Sequence, residues 1–117
     1  MIEIVIPRFG QLTLDVLVCD YNGTLACDGK LSSEARARLV RVASTLRVQI
    51  ITGDTFGTAR DELRGLPVEL AVVPAEGQAE AKLELIKRHG IDRVVAFGNG
   101  RNDRLILAEA ALGVGVF

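Results

Sequence analysis

Tryptophan is absent from this chain, and tyrosine and methionine occur once each. With only four phenylalanines in 117 residues, any core has to be aliphatic. A hydrophobic fraction of 49% is enough to build one from Val, Leu, Ile and Ala. Cysteine is scarce as well. Cys19 and Cys27 form no metal-ligand pattern. Cys19 reads as a small buried hydrophobe and Cys27 as a loop residue, a usage that suits a reducing cytoplasm. Charge of neither sign dominates, since 14 Lys and Arg oppose 15 Asp and Glu. No basic excess or basic run therefore points to nucleic acid or to an anionic membrane. No apolar stretch approaches the roughly 18 residues of a membrane span. The opening MIEIVIPRFG has no basic n-region and breaks at Pro7, so it does not read as a signal peptide. Repeats, low-complexity segments and linkers are missing too, and the length favours one domain.

What is present is an alternation of elements. EIVI and QLTL flank Pro7-Arg8-Phe9-Gly10, which predicts an N-terminal hairpin over residues 1–14. DVLVCD is a strand apolar on both faces, suited to a central parallel position. LSSEARARLVRVASTL predicts a helix capped by Ser32 or Ser33, with Ala35, Leu39, Val42, Ala43 and Leu46 facing inward. VQIIT is a second buried strand, and DTFGTARDELRG a short helix closed by Gly65. VELAVV, the helix EGQAEAKLELIKRHG, RVVAF, the helix NDRLILAEAAL and GVGVF complete the order. Strands alternating with helices predict an α/β fold over residues 15–117. It is a doubly wound, three-layer parallel sheet of Rossmannoid type.

Ligands of such sheets bind at the carboxyl ends of the strands. Three strands here end in polar, Gly-rich turns: CDYNGT, ITGDT and FGNGRND. Asp20, Thr52, Gly53, Asn99 and Asp103 are therefore expected to converge on one edge. In the helix over residues 78–89, Lys82 falls inside the core-facing arc, about 40° from Ile86. Such a lysine either snorkels outward or reaches a buried anion. Backbone N–H groups of Tyr21, Asn22 and Gly23, and of Thr52 and Gly53, can cradle an anion as a nest. Asp20 and Asp103 offer hard oxygen ligands for Mg²⁺. A carboxylate, a hydroxyl beside a free loop N–H, an inward lysine and a second acid are the parts of a phosphoryl-transfer site.

In order and spacing, DYNGTL, TGD, the inward Lys82 and GNGRND resemble the four motifs of the haloacid dehalogenase-like (HAD) superfamily. The likeness extends over nearly the whole chain after the hairpin. TGD followed by GNGRND most resembles the phosphorylation domain of P-type ATPases, in a small soluble form without a cap domain. The resemblance implies an aspartyl-phosphate on Asp20 and phosphate binding by Thr52 and the Gly53 N–H. It also implies charge neutralisation by Lys82. Mg²⁺ would be held by Asp20, the Asn22 carbonyl, Asn99 and Asp103, with Asn102 a neighbouring polar partner. The substrate it implies is a phosphorylated compound whose identity the motifs do not name.

Two departures bear on activity. HAD phosphatases carry an acid two residues after the nucleophile, where this chain has Asn22. An amide cannot shuttle a proton, and losing a general acid–base catalyst typically costs on the order of 10²–10⁴ in rate. P-type ATPases also lack an acid there and still become phosphorylated. Asn99 likewise stands where the family pattern has an acid. The expectation is a Mg²⁺-dependent phosphatase or phosphotransferase that hydrolyses slowly. The alternative is a module of the same fold that binds phosphate or a partner protein without turnover. Residues 25–31, LACDGKL, leave room for a flap rather than a cap, so oligomer neighbours or a large substrate would close the site. The unpaired edge of EIVI makes the hairpin a candidate for self-association.

Other readings fit less well. A receiver-type acceptor would sit on a middle strand after an acidic pair. GNGRND lacks the third glycine of a dinucleotide loop and follows the fourth strand, not the first. Asp54 reads as a helix N-cap, and His89 as a favourable charge at a helix C-terminus.

Overall fold

A strand whose residues are buried on both faces is stable only inside a sheet covered on both sides. Strand β3 (Val16–Asp20) is such a strand, with only Asp20 partly accessible. The computed structural model describes residues 1–8, 10–22, 24–27, 29–53, 57–74, 76–99 and 103–115. It places β3 at the centre of a five-stranded parallel sheet. Its partners are β6 (Arg47–Thr52), β7 (Glu69–Val72), β8 (Val94–Gly98) and β9 (Leu112–Gly115), in the order β7-β6-β3-β8-β9. Register pairs Cys19 with both Ile50 and Phe97. The chain winds outward from β3 in one direction through β6 and β7, then crosses back to β8 and β9. The switch point lies between β3 and β8, where a doubly wound sheet opens a crevice.

Alternation along each strand sorts the core into two layers. Leu17, Cys19, Val48, Ile50 and Val95 pack with Leu39 of helix α1 (Ser33–Ala43) and with Ala59 of α2 (Thr58–Glu62). On the other face, Val16, Val18, Ile51, Val94 and Ala96 meet Ile86 of α3 (Gln78–His89) and Ile106 of α4 (Arg104–Glu109). Asp20 shares the parity of Val16 and Val18. Its carboxylate is thus directed to the α3–α4 side.

The N-terminal hairpin joins β1 (Ile2–Ile6) to β2 (Gly10–Leu14) in antiparallel register, Ile4 opposite Leu12. Ile2, Ile4 and Leu12 lean on the first core layer, and Val5 faces solvent at 75% exposure. The flap proves to be a hairpin of its own, β4 (Ala26–Cys27) against β5 (Lys30–Leu31). Cys27 sits on this strand, exposed, while Cys19 is buried.

Several boundaries differ from the sequence reading. Helix α1 has the expected cap, Ser32, whose Oγ accepts from the Ala35 N–H at 3.1 Å, but ends at Ala43, short of Leu46. Helix α2 begins only at Thr58, and Asp54, the expected cap, lies outside the described residues. Helix α4 ends at Glu109, because Leu112 is drawn into the ladder opposite Val95. That ladder brings Gly113 against α4. A Cβ at Gly113 would collide with the Leu107 carbonyl oxygen and lie 2.8 Å from its carbon. The obstruction is backbone and cannot swing away. Gly113→Ala should therefore destabilise the fold by about 1–3 kcal/mol, the usual cost of overpacking. A urea titration followed by circular dichroism will read this as a lower midpoint. An unchanged midpoint would mean that β9 slides freely past α4.

Candidate active site

Lys82 decides the character of the carboxyl edge. It is 2% exposed, inside the second core layer. A buried ammonium needs anionic partners to offset the loss of water. Lys82 Nζ donates to Asp103 Oδ1 at 2.7 Å and to Asp20 Oδ1 at 3.3 Å. Asp103 is itself 1% exposed. The three groups come from α3, the end of β3 and the start of α4, so the crossover chain assembles them across the switch point.

One cation faces two carboxylates here. Burial pushes the Asp20 carboxyl from its ordinary value near 3.8 up to about 6. Lys82 pulls it back down, and the neighbouring Asp103 adds a further push upward. The site thus holds more negative charge than its lysine compensates. Burial also pushes the Cys19 thiol far up, with Asp20 and Asp103 adding to it, so Cys19 is inert packing beneath the site.

Close approach explains one glycine of this edge. Gly98 ends β8 with the parity of Ala96, facing the α3–α4 layer. A Cβ there would lie 2.5 Å from Asp103 Cβ and 2.7 Å from its Oδ2. Glycine at 98 leaves the space that Asp103 occupies. Asp103 Oδ2 in turn accepts from the Asn99 backbone N–H at 3.0 Å. Thr52, 1% exposed, ends β6, and Gly53 follows it half-buried. The Tyr21 N–H is tied to the Ile51 carbonyl at 3.0 Å, which holds the first two strand ends together.

The structure therefore brings Asp20, Lys82 and Asp103 into contact, with Asn99 bonded to Asp103. It sets Thr52 and Gly53 on the adjoining strand end. Asn22 is exposed beyond Asp20. Gly23 and Asn102 lie outside the described residues. Sequence reasoning missed the anchoring of the flap. The buried Tyr21 donates from its hydroxyl to the Gly29 carbonyl at 2.8 Å. Glu62 accepts from the Leu31 N–H at 3.0 Å on the other side. A buried lone tyrosine directly after the key acid was the available signal. It also missed Thr24, whose Oγ1 is buried with no hydrogen-bond partner among the described residues.

The donor chemistry fits a hard divalent cation. Two carboxylates in excess charge over one lysine, plus amide and carbonyl oxygens at Asn99 and Asn22, are the oxygen ligands such ions take. Among the described residues no cluster of three or more His, Cys, Asp or Glu side chains occurs. A cation here would depend on that mixed set.

Neither a family model nor a curated protein matches the sequence. Solved structures match its fold. A Streptomyces avermitilis protein described as a HAD family hydrolase aligns at TM-score 0.70 with 18% identity, covering 87% of this chain and 66% of that one. The 3-deoxy-D-manno-octulosonate 8-phosphate phosphatase of Yersinia pestis aligns at 0.69 with 16% identity, covering 97% and 74%. The cobalt-bound deoxy-D-mannose-octulosonate 8-phosphate phosphatase of Haemophilus influenzae aligns at 0.66 with 13% identity, covering 86% and 67%. The chain has the HAD-like α/β fold. It spans between 63% and 74% of the length of six of the solved structures it matches.

The raised Asp20 value has a consequence for stability. Folding disfavours the ionised carboxylate, so stability falls as pH climbs from near 3.8 through about 6. Asp20→Asn removes that buried anion. With chelator present, the variant should melt above the parent at pH 8. The two should converge as pH drops below the 3.8–6 window, where Asp20 is protonated in both states. Melting temperatures across this range test it. A variant less stable than the parent at pH 8 would show the Lys82 pairing to outweigh desolvation.

Proposed function

We propose that this chain is a phosphatase or phosphotransferase of HAD type working through an aspartyl-phosphate on Asp20. The observation that carries the reading is the buried Lys82 held between Asp20 and Asp103 at the switch point. A lysine so placed lowers the charge cost of bringing a phosphoryl group up to a carboxylate. Solved structures of the same fold include phosphatases, and one holds cobalt.

In this reading an Asp20 oxygen attacks phosphorus in line and forms the acyl-phosphate bond. The bond from phosphorus to the leaving oxygen breaks, and that oxygen keeps the electron pair. The phosphoryl oxygens rest against Lys82 and the N–H groups of the Thr52–Gly53 turn. Water then attacks phosphorus, and Asp20 leaves as a carboxylate. Asp20, the Asn22 carbonyl, Asn99 and Asp103 would hold Mg²⁺, which offsets charge on the phosphoryl oxygens when bound. Asn22 can neither protonate a leaving group nor accept a proton from water. The first step therefore favours donors whose leaving group departs as a stable anion, and the second is slow. The TGD and GNGRND turns support a place beside soluble P-type-ATPase-like proteins. We also place the protein in the cytoplasm, acting on a phosphorylated substrate, with the free edge of β1 open to self-association. Asn22 favours one second reading, a phosphate- or protein-binding module that does not turn over.

Acetyl phosphate is the probe of choice, since acetate leaves without a proton. Intact-mass measurements with Mg²⁺ should show one phosphate accumulating on the parent and none on Asp20→Ala. Asn22→Asp should shorten the lifetime of the adduct, on the order of 100-fold for a restored general base. A parent that gains no phosphate at any Mg²⁺ concentration would sink the enzyme reading and leave the binding module.

A further inference from the structure

Gly53 has an ordinary backbone conformation, outside the left-handed region that demands glycine at other positions of this chain. Its lack of a side chain has a different cause. A Cβ built at Gly53 would collide with Gln78 Nε2 and lie 3.3 Å from Gln78 Cδ and 3.7 Å from Oε1. The Gln78 carboxamide is thus laid over the Thr52–Gly53 turn, amide nitrogen nearest. Gln78 is the first residue of α3, and Lys82 lies one turn further along. Residues four apart share a helix face. The same stripe of α3 that sends Lys82 to Asp20 and Asp103 therefore sends Gln78 to the adjoining strand end.

We infer that Gln78 is a phosphoryl-contacting residue of this site. From above Gly53, its Nε2 donates to an oxygen of the phosphoryl group seated on that turn. This inference rests on the phosphoryl-transfer reading above. A primary carboxamide supplies donors without charge. Lys82 already meets two carboxylates, so a second cation would compete with it for Asp20. A neutral donor adds orientation and leaves that balance intact. Glycine at 53 is then the complement of Gln78, as Gly98 is of Asp103.

The test measures the rate of Asp20 phosphorylation by acetyl phosphate in the intact chain. Gln78→Ala should slow it roughly 3- to 10-fold, the worth of one neutral hydrogen bond. Gln78→Glu has the same shape but places a carboxylate beside the phosphate, and should slow it further. Gly53→Ala meets only the end of a flexible side chain, so the protein should fold with Gln78 displaced and react slowly too. The double variant, Gly53→Ala with Gln78→Ala, should be no slower than the worse single one, because both remove the same contact. Melting temperatures identify any loss due to misfolding, which Gln78→Glu, at a half-buried helix start, should avoid. A parent that reacts while both Gln78 variants keep its rate overturns this inference alone. So does a double variant that multiplies the two losses. A parent that neither reacts nor binds inorganic phosphate overturns the site reading together with this one.

Discussion

Everything at the carboxyl edge follows from one ammonium that has lost its water. Lys82, 2% exposed, is buried against Asp103 at 2.7 Å, with Asp20 beside it at 3.3 Å. Each requirement of that contact is visible elsewhere in the chain. The parity of β3 turns Asp20 toward α3. The stripe Gln78, Lys82 and Ile86 turns α3 toward the sheet. Gly98 clears the volume that Asp103 fills, and the Asn99 N–H fixes that carboxylate from behind. Removing Lys82 would leave two like charges buried side by side, a far costlier state than a lost surface pair.

That arrangement was largely legible in the sequence because it rests on periodicity. An acid ending an apolar strand and a lysine in an apolar helical arc are both read by counting residues. The alternation of strands and helices announced a parallel sheet, since parallel neighbours need crossover connections, but not the side of β3 on which each strand falls. Element ends were less legible. Helix α4 is cut short by the pull of β9 on Leu112, a contact between segments that no local pattern announces. The Gln78 placement was within reach, four residues before Lys82, but its meaning depends on how closely β6 approaches α3. The link from the Tyr21 hydroxyl to Gly29 depends on a flap strand only two residues long.

The flap shows how an open site can still be firm. Among the described residues, the segment between β3 and α1 is a two-stranded hairpin and nothing larger. Tyr21 ties its turn to the residue after Asp20, and Glu62 ties its second strand to α2 while meeting Arg36 at 3.5 Å. Each bond alone is modest, about 1 kcal/mol net. Together they hold the loop that follows Asp20 and carries Asn22 against two different elements. On the phosphoryl-transfer reading, such a loop would position Asn22 without a lid. Excluding water would then fall to whatever binds.

Asn22 and Asn99 are best understood through the same charge count. Asp20 is already pushed up to about 6, and Asp103 contributes to that push. An acid at 22 or 99 would add another like charge near Asp20 or Asp103, and would raise the cost of folding without a cation. Amides keep oxygen donors at those positions and spare the fold that cost. The consequence falls on chemistry. On the proposed aspartyl-phosphate reading, a site with two carboxylates and one lysine would hold a phosphoryl group on Asp20 with less charge to attract a cation and no base to drive hydrolysis. In that reading, stability of the empty site and persistence of a phosphorylated state would share one origin, the absence of a third acid near Asp20 and Asp103.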